Sequence, residues 1–190
     1  MSVDVEPALA VLEARANGHL PLPARRRVHG SWGFDAGGRR RRVALERRVV
    51  EHVLDRFEAE RPGDDRPRAM LDLAGAVLRG EADRDEAIVA AVGAFNDLED
   101  LREEGVGDPA IHAALSATRV VVTAGWDEPP ADPDTDDEAI DADQWDAAFW
   151  ASLAVVPSLP WMTDPGDVEP RRAFWRWYLS EAVPATDRDA

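Results

Sequence analysis

Residues 171–184 read RRAFWRWYLSEAVP and decide the fold class of the chain. At about 100° per residue, the apolar side chains of this stretch cover an arc of roughly 200° on a helix. That arc is about twice the width of the apolar stripe on an ordinary surface helix, and it holds Phe174, Trp175, Trp177, Tyr178 and Leu179. Such a helix must be enclosed by other helices on most sides. The stretch therefore predicts a compact all-α domain with its aromatic C-terminal helix in the core.

Helical periodicity continues through most of the chain. Apolar residues at three- and four-residue spacing predict a long helix from Arg39 to Glu60 and another from Asp143 to Val155. Residues 18–38 read as a loop with one short helix around Arg25–Val28. We predict about seven helices in one domain spanning residues 1–190. The helix that follows Asp83 is expected to bury Ile88, Val92, Phe95 and Leu98.

Residues 126–143 form an acidic loop of aspartates, glutamates and prolines with almost nothing to bury. This composition predicts a solvated, mobile loop within the domain. Four of its aspartates fall at positions one, three, five and twelve of an EF-hand: Asp132, Asp134, Asp136 and Asp143. Position six, however, is Asp137, where the sharp turn of an EF-hand needs glycine. We therefore favour a solvated loop over a calcium site and expect no metal.

The formal net charge is −16, and all 22 basic residues are arginine. An acidic proteome explains such a charge, and so does an anionic face that binds a basic protein partner. The charge argues against nucleic-acid binding, which needs a basic patch. The chain has no cysteine and no apolar run long enough for a membrane span. Its N-terminus lacks the features of a signal peptide, so we expect a cytoplasmic protein without a membrane partner.

Two carboxylates are predicted to point towards the core. Glu46 shares a helix face with Val49, Val53 and Phe57, and Asp146 shares one with Phe149. A buried carboxylate either pairs with an arginine or has the raised pKa of an acid–base catalyst. No nucleophile–base set, metal motif or phosphate-binding loop accompanies them, so we favour structural pairing and expect no catalytic residue and no cofactor. A small helical enzyme that uses this carboxylate pair remains the alternative.

Three separated stretches carry a family resemblance: residues 41–69, which end in PGDDRPRA; residues 145–151, WDAAFWA; and residues 172–184, RAFWRWYLSEAVP. Together they resemble the fifth class of predicted immunity proteins of bacterial polymorphic toxin systems, an all-α family. The resemblance implies a non-enzymatic protein that binds and blocks a toxin domain made by a neighbouring gene. It also suggests Asp64, Asp65 and Arg66, together with Asp146, as the polar signature of the family.

We accordingly expect a monomeric inhibitor that occludes a cognate toxin, most plausibly a nuclease with a basic surface. Carboxylates of Asp64, Asp65 and residues 127–143 would steer the encounter. Exposed tryptophans would anchor the complex, since tryptophan is enriched at binding hot spots. A helical interaction module from a salt-adapted organism, without a toxin partner, is a further alternative. The predicted partner-binding residues are Asp64, Asp65, Arg66, Trp126, Asp146 and Trp161.

Overall fold

The computed structural model describes residues 3–126, 128–129 and 132–189, and every regular element among them is helical. This confirms the predicted all-α class. None of the described helices is both long and apolar enough to cross a bilayer. The α-helical segments of the described residues are α1 (Glu6–Ala14), α2 (Leu22–Gly30), α3 (Ala36–Val53), α4 (Asp55–Glu60), α5 (Arg66–Arg79), α6 (Arg84–Glu99), α7 (Asp108–Gly125), α8 (Ala147–Val155), α9 (Val168–Trp177) and α10 (Val183–Asp189).

Short elements join some of these helices. The chain runs from α9 into α10 through a π-helical turn, Tyr178–Ala182, so the aromatic helix extends beyond Pro184. Two 3-10 turns, Asp137–Ala139 and Ala142–Gln144, lie in the segment that the sequence presents as the acidic loop. The short helix predicted around Arg25–Val28 is α2, which is longer than predicted at both ends.

Side-chain caps explain where several helices begin. The Asp35 carboxylate accepts a 2.8 Å hydrogen bond from the Gly38 backbone N–H, which starts α3 three residues before the predicted position at Arg39. Asp83 accepts from two backbone N–H groups in the first turn of α6, as a capping aspartate should. Asp146 caps α8 through a 2.8 Å bond from the Phe149 N–H, so that helix begins later than the predicted Asp143.

Helix α7 is the most enclosed element, since it packs against α3, α4, α5, α6 and α8. All of its residues from Ala110 to Thr118 are buried. Several of them are alanines, which let neighbouring helices approach closely. The aromatic C-terminal helix is also in the core, as predicted, and packs against α1, α3 and α8. Its fully buried side chains include Trp175, Tyr178 and Leu179.

Helix α6 presents a different face to the core from the predicted one. Val92 is 53% exposed, and Ile88 and Phe95 are only partly buried. The residues that pack inward are Ala87, Ala91 and Leu98. The sequence prediction assigned the largest apolar residues to the buried face of α6. Because α7 lies close to α6, however, alanine fits the contact between the two helices better. As a result, α6 keeps an apolar outer face that includes Val89 and Val92.

Candidate functional site

A buried polar centre, made of His19, Arg25, Asp137 and Asp146, joins α2, α8 and the acidic loop. The Arg25 guanidinium donates to both carboxylate oxygens of Asp137, at 2.6 and 3.1 Å. Its Nε donates to Asp146 at 2.8 Å. His19 contacts the Asp137 carboxylate through Nε2 at 3.0 Å. Arg25 also lies over the Trp175 ring, 5.2 Å from its centroid, so the centre is tied to the aromatic helix as well.

In the polar centre Arg25 and Asp137 are charged, whereas His19 is neutral. Burial opposes the charge on Arg25, but Asp137 and Asp146 outweigh it and raise the pKa of the guanidinium. Burial alone would raise the pKa of Asp137, yet Arg25 and the His19 hydrogen bond lower it well below the ordinary value. For His19, burial dominates and lowers the pKa. A neutral His19 therefore donates from Nε2 to a charged, arginine-bound carboxylate.

The polar centre corrects the prediction of a solvated acidic loop with almost nothing to bury. Asp137 is only 1% exposed, and the chain before it is held to α2, where Arg26 donates to the carbonyls of Asp132 and Thr135. Three residues of the predicted loop, Asp127, Pro130 and Ala131, lie outside the described residues. The acidic loop is thus partly a structural element of the core.

Two members of the polar centre, together with Asp136, form a group with the spacing of a metal site. Donor atoms of His19, Asp136 and Asp137 lie within 4.8 Å of one another. Both carboxylate oxygens of Asp137, however, already accept hydrogen bonds from Arg25. The guanidinium supplies the positive charge that a metal ion would bring, so these residues do not fit a metal.

A carboxylate cavity of about 260 Å³ lies beside the polar centre and is lined by both Glu46 and Asp146. The enzyme alternative requires such a cavity. One oxygen of Asp146 accepts from Arg25 and the other from the Phe149 N–H, both at 2.8 Å. Glu46 is buried and accepts a 3.0 Å bond from the Thr123 hydroxyl. Asp146 therefore has a structural role as a helix cap and an arginine partner, and each of its oxygens accepts a hydrogen bond from the protein.

A second cavity is an aromatic cleft of about 640 Å³. Its floor is formed by Phe95 of α6, Trp150 of α8, and Trp145, which precedes α8. The ring centroids of Phe95 and Trp150 are 5.8 Å apart, and those of Trp145 and Trp150 are 5.1 Å apart. The rim carries the carboxylates Glu99, Asp108, Asp141 and Asp143.

On one side of the cleft, an arginine partly neutralises two carboxylates. Arg102 forms ion pairs with Glu99 and with Asp108, the latter at 2.8 Å. It also contacts Nε2 of His112 at 3.1 Å. Because a guanidinium only donates, His112 accepts there and donates from Nδ1 to the Leu153 carbonyl. Burial, followed by the charge of Arg102, lowers the pKa of His112, which keeps this ring neutral.

The other side of the cleft carries the exposed side chains of Asp141 and Asp143. Within the described ranges, neither carboxylate takes part in an ion pair. Residues 141–146, which we name the acidic turn, form a wall between two cavities. Asp141, Asp143 and Trp145 line the aromatic cleft, whereas Gln144 and Asp146 line the carboxylate cavity. One short segment thus shapes both cavities.

The structure places the predicted signature residues at the start of α5. Both oxygens of Asp64 accept hydrogen bonds from Arg66, the shortest at 2.5 Å. This pairing is the main reason that the pKa of Asp64 is lowered. Arg66 also reaches the Asp97 carbonyl at 3.4 Å. Asp65 is exposed, and its side chain makes no capping bond to the helix.

The remaining predicted residues are distributed around the acidic turn. Trp126 is 64% exposed and lines the carboxylate cavity together with Asp146. Trp161 is partly buried, because it stacks on Phe149 with centroids 5.8 Å apart and meets Trp145 edge-on at 5.9 Å. The structure therefore brings Trp126 and Asp146 to one cavity. Asp64, Asp65, Arg66 and Trp161 are outside the described lining of both cavities.

Sequence reasoning missed the partners that assemble this region. Arg25 lies among several arginines in an interval that reads as a loop, and nothing distinguishes it from its neighbours. Asp137 is one of many aspartates in an acidic run. The only available signal for the cleft was the dense aromatic content of residues 145–150, which indicates burial but not which rings line a surface.

The family model described as Immunity protein Imm5 matches residues 5–185, which include the polar centre, both cavities and the aromatic C-terminal helix. No curated protein matches the chain.

Proposed function

Because the chain belongs to the Imm5 family of immunity proteins, we propose that it binds a cognate toxin domain and neutralises it by occlusion. The family match over residues 5–185 carries this proposal. In this function the protein is a cytoplasmic, monomeric inhibitor and performs no chemistry of its own. It holds the toxin in a stoichiometric complex for as long as the toxin is present.

The charge of the chain supports a basic toxin surface. A net charge of −16 produces a negative field that accelerates encounter with a positive partner. Nucleases bind phosphate backbones through positive grooves, so a nuclease is the class of toxin that best complements this protein. Covering such a groove blocks the substrate without any need to reach the catalytic atoms.

Exposed residues around the acidic turn support one contact face. Trp126 offers a large, exposed aromatic surface beside the carboxylate cavity. Glu128 lines the same cavity, so an aromatic anchor lies beside a carboxylate. Asp64, Asp65, Arg66 and Trp161 are proposed as further contacts, with Asp65 the most accessible of the signature residues. Asp146 contributes to this face by fixing the start of α8.

The hydrogen bonds of Asp146 and of the buried Glu46 favour binding over catalysis. Asp146 is held by Arg25 and by the Phe149 N–H, and Glu46 is held by Thr123. The Glu46→Gln variant keeps the size of the side chain and still accepts from Thr123. We expect this variant to neutralise the toxin as well as the unmodified chain does, whereas an enzyme that used Glu46 as its base would lose activity.

The direct experiment uses the toxin domain encoded beside the gene of this chain. The purified chain is titrated into that toxin, and residual toxin activity is measured together with complex formation by size-exclusion chromatography. We expect activity to fall linearly to zero at one equivalent, with a heterodimer as the product. A stable complex that leaves the toxin fully active would contradict occlusion. Inhibition at far below one equivalent would instead indicate an enzyme.

A further inference from the structure

We infer that the aromatic cleft receives a lysine or arginine side chain of the toxin, with the cationic head at Asp141 and Asp143. This inference rests on the proposed function and names the chemistry of its contact. It adds to the predicted contact residues a site on the opposite side of the acidic turn from Trp126.

The floor of the cleft suits a cationic side chain. Phe95, Trp145 and Trp150 bring three aromatic rings together, with neighbouring centroids 5.8 and 5.1 Å apart. Aromatic faces attract a guanidinium or ammonium group through the ring quadrupole, more strongly when water is excluded. The methylene stem of lysine or arginine packs on apolar surface while its charged head stays near water. A volume of about 640 Å³ is ample for such a side chain.

The rim of the cleft supplies the countercharge. Arg102 pairs with both Glu99 and Asp108, and His112 is neutral, so these four groups together carry a net charge of about −1. Asp141 and Asp143 are the rim carboxylates that take part in no ion pair among the described residues. Arg119 lines a small groove that shares Asp143 with the cleft, and the attraction of Asp143 helps this arginine to stay charged. The negative charge of Asp141 is therefore less compensated than that of Asp143, and a cationic side chain bound in the cleft neutralises it.

The surroundings of the cleft favour a protein as the source of this cation. Val89 is 71% exposed and Val92 is 53% exposed, and they lie one turn apart on the outer face of α6. Val92 and Phe95 both line the small groove that joins the cleft, so the apolar surface is continuous. Exposed apolar surface beside a cleft is typical of protein interfaces. A second copy of this chain is disfavoured as the partner because each copy carries a net charge of −16.

The first test measures binding of the adjacent-gene toxin to the Asp141→Asn/Asp143→Asn variant. We expect the affinity to fall roughly 10- to 100-fold, with a larger loss at low salt, because both changes remove charge that faces the incoming cation. The matched control is Asp72→Asn/Asp100→Asn, which removes the same charge from exposed positions that do not line the cleft. This control should change the affinity less than about 3-fold.

A second variant, Val92→Asp, tests the apolar ridge that the exposed side chains of Val89 and Val92 form on α6. Val92 is exposed, so the fold tolerates a carboxylate there. We expect a loss of toxin affinity of at least about 10-fold, because the ridge would then have to bury a charge in the interface. Circular dichroism and the urea midpoint of the variant should match those of the unmodified chain.

A third measurement uses the side chain alone as a probe. Nα-acetyl-arginine N-methylamide is titrated against chain labelled with ¹⁵N at its tryptophan indoles, and the neutral isostere Nα-acetyl-citrulline N-methylamide is the control. We expect the arginine compound, at millimolar concentration, to shift the indole resonances of Trp145 and Trp150, and the citrulline compound to leave them unchanged. Equal shifts with both compounds, or none with either, would overturn the assignment of a cation to the cleft.

The outcomes separate this inference from the proposed function. One outcome is that the unmodified chain inhibits the toxin while the Asp141→Asn/Asp143→Asn and Val92→Asp variants bind it as tightly as the control variant does. In that case the cleft is not the contact, and the proposed function stands. If the arginine compound binds while toxin affinity is unchanged in these variants, the cleft serves a small cation and the docking inference is overturned. Failure of the unmodified chain to bind the toxin overturns both.

Discussion

Asp137 and Asp143 belong to the same acidic stretch and have opposite environments. Asp137 is 1% exposed, accepts three hydrogen bonds from Arg25 and the Leu22 N–H, and also contacts His19. Asp143 is exposed at the rim of the aromatic cleft, and the structure gives it no ion pair among the described residues. The pairing of a carboxylate, rather than its presence in an acidic run, separates a structural role from a candidate contact.

This contrast shows how the molecule divides its charge. The polar centre places charged groups where the aromatic helix, α2 and α8 meet, and each of the two aspartates there is matched to Arg25. The acidic turn presents charge outward, where it costs little and attracts cations. Substitutions at the two places should therefore affect different properties, stability for the first and binding for the second.

The largest effect is expected for Asp137→Ala. Removing this carboxylate leaves the Arg25 guanidinium buried with one partner fewer, and loss of one member of a buried ion pair costs about 3–5 kcal/mol. The measurement is the free energy of unfolding in urea. Asp143→Ala serves as the control and should change that free energy by less than about 0.5 kcal/mol. Equal destabilisation by the two substitutions would remove the distinction between the two aspartates.

A double-mutant cycle sharpens the same point. Arg25→Met and Asp137→Leu are each expected to be strongly destabilising, because the first leaves the buried Asp137 without its arginine and the second leaves the buried Arg25 with Asp146 alone as its carboxylate partner. The combined variant should be less destabilised than the sum of the two, by roughly 1–3 kcal/mol. Urea unfolding of the four proteins gives this coupling. Strict additivity would mean that the 2.6 Å contact between Arg25 and Asp137 contributes nothing specific to the fold.

The pH dependence of stability gives a smaller and graded effect. Burial lowers the pKa of His19, His52 and His112 in the folded state. As the pH falls, these histidines are therefore protonated in the unfolded chain before they are protonated in the folded chain. The free energy of unfolding should for this reason decrease as the pH falls below about 6.5. A second decrease should begin below about pH 4, where the unfolded chain protonates an aspartate that Arg25 keeps ionised in the fold.

Urea titrations at a series of pH values test this sign. His112→Asn isolates one contribution, since it removes the ring that accepts from Arg102 at the cleft. Its stability should vary less with pH between about 5 and 7 than that of the unmodified chain. A stability that increases on acidification through this range would contradict the lowered pKa values.

The smallest change in stability is expected for Trp126→Ala. The side chain is 64% exposed, so its removal should change the free energy of unfolding by no more than about 0.5 kcal/mol. Toxin affinity should nevertheless fall by about 10-fold, as expected for an aromatic anchor. Trp175→Ala is the contrasting variant, because the loss of a fully buried tryptophan costs about 3–5 kcal/mol of stability. A neutral effect of Trp126→Ala on affinity would remove this residue from the contact face.

The sequence predicted the fold class because helical periodicity is local. Apolar spacing identifies the helix that the structure presents as α3 and α4, and the width of the apolar arc identifies the buried aromatic helix. The inward face of α6 was misread because close helix packing favours Ala87 and Ala91 over larger neighbours. Size-weighted hydrophobicity cannot distinguish an apolar face that meets another helix from one that faces solvent.

The candidate site was less predictable because it depends on distant pairings. Arg25 and Asp137 are separated by more than half of the chain, and neither belongs to a local motif. The structural role of Asp146 was foreseeable in part, since an aspartate before an apolar run is typical of a helix cap. The partner of its second oxygen, Arg25, was not foreseeable. Whether Asp64, Asp65, Arg66, Trp126, Asp146 and Trp161 contact a toxin stays a prediction.

The acidic turn and the residues just before it, 137–146 in all, are fixed at both ends. Asp137 is anchored by Arg25 at one end, its backbone carbonyl accepts a 3.0 Å bond from the Trp145 indole, and Asp146 is anchored by capping α8 at the other end. The exposed residues between these anchors can therefore be exchanged without loosening the helices beneath them. A chain built in this way can acquire a new binding partner by substitution within a few consecutive codons while its hydrophobic interior stays the same.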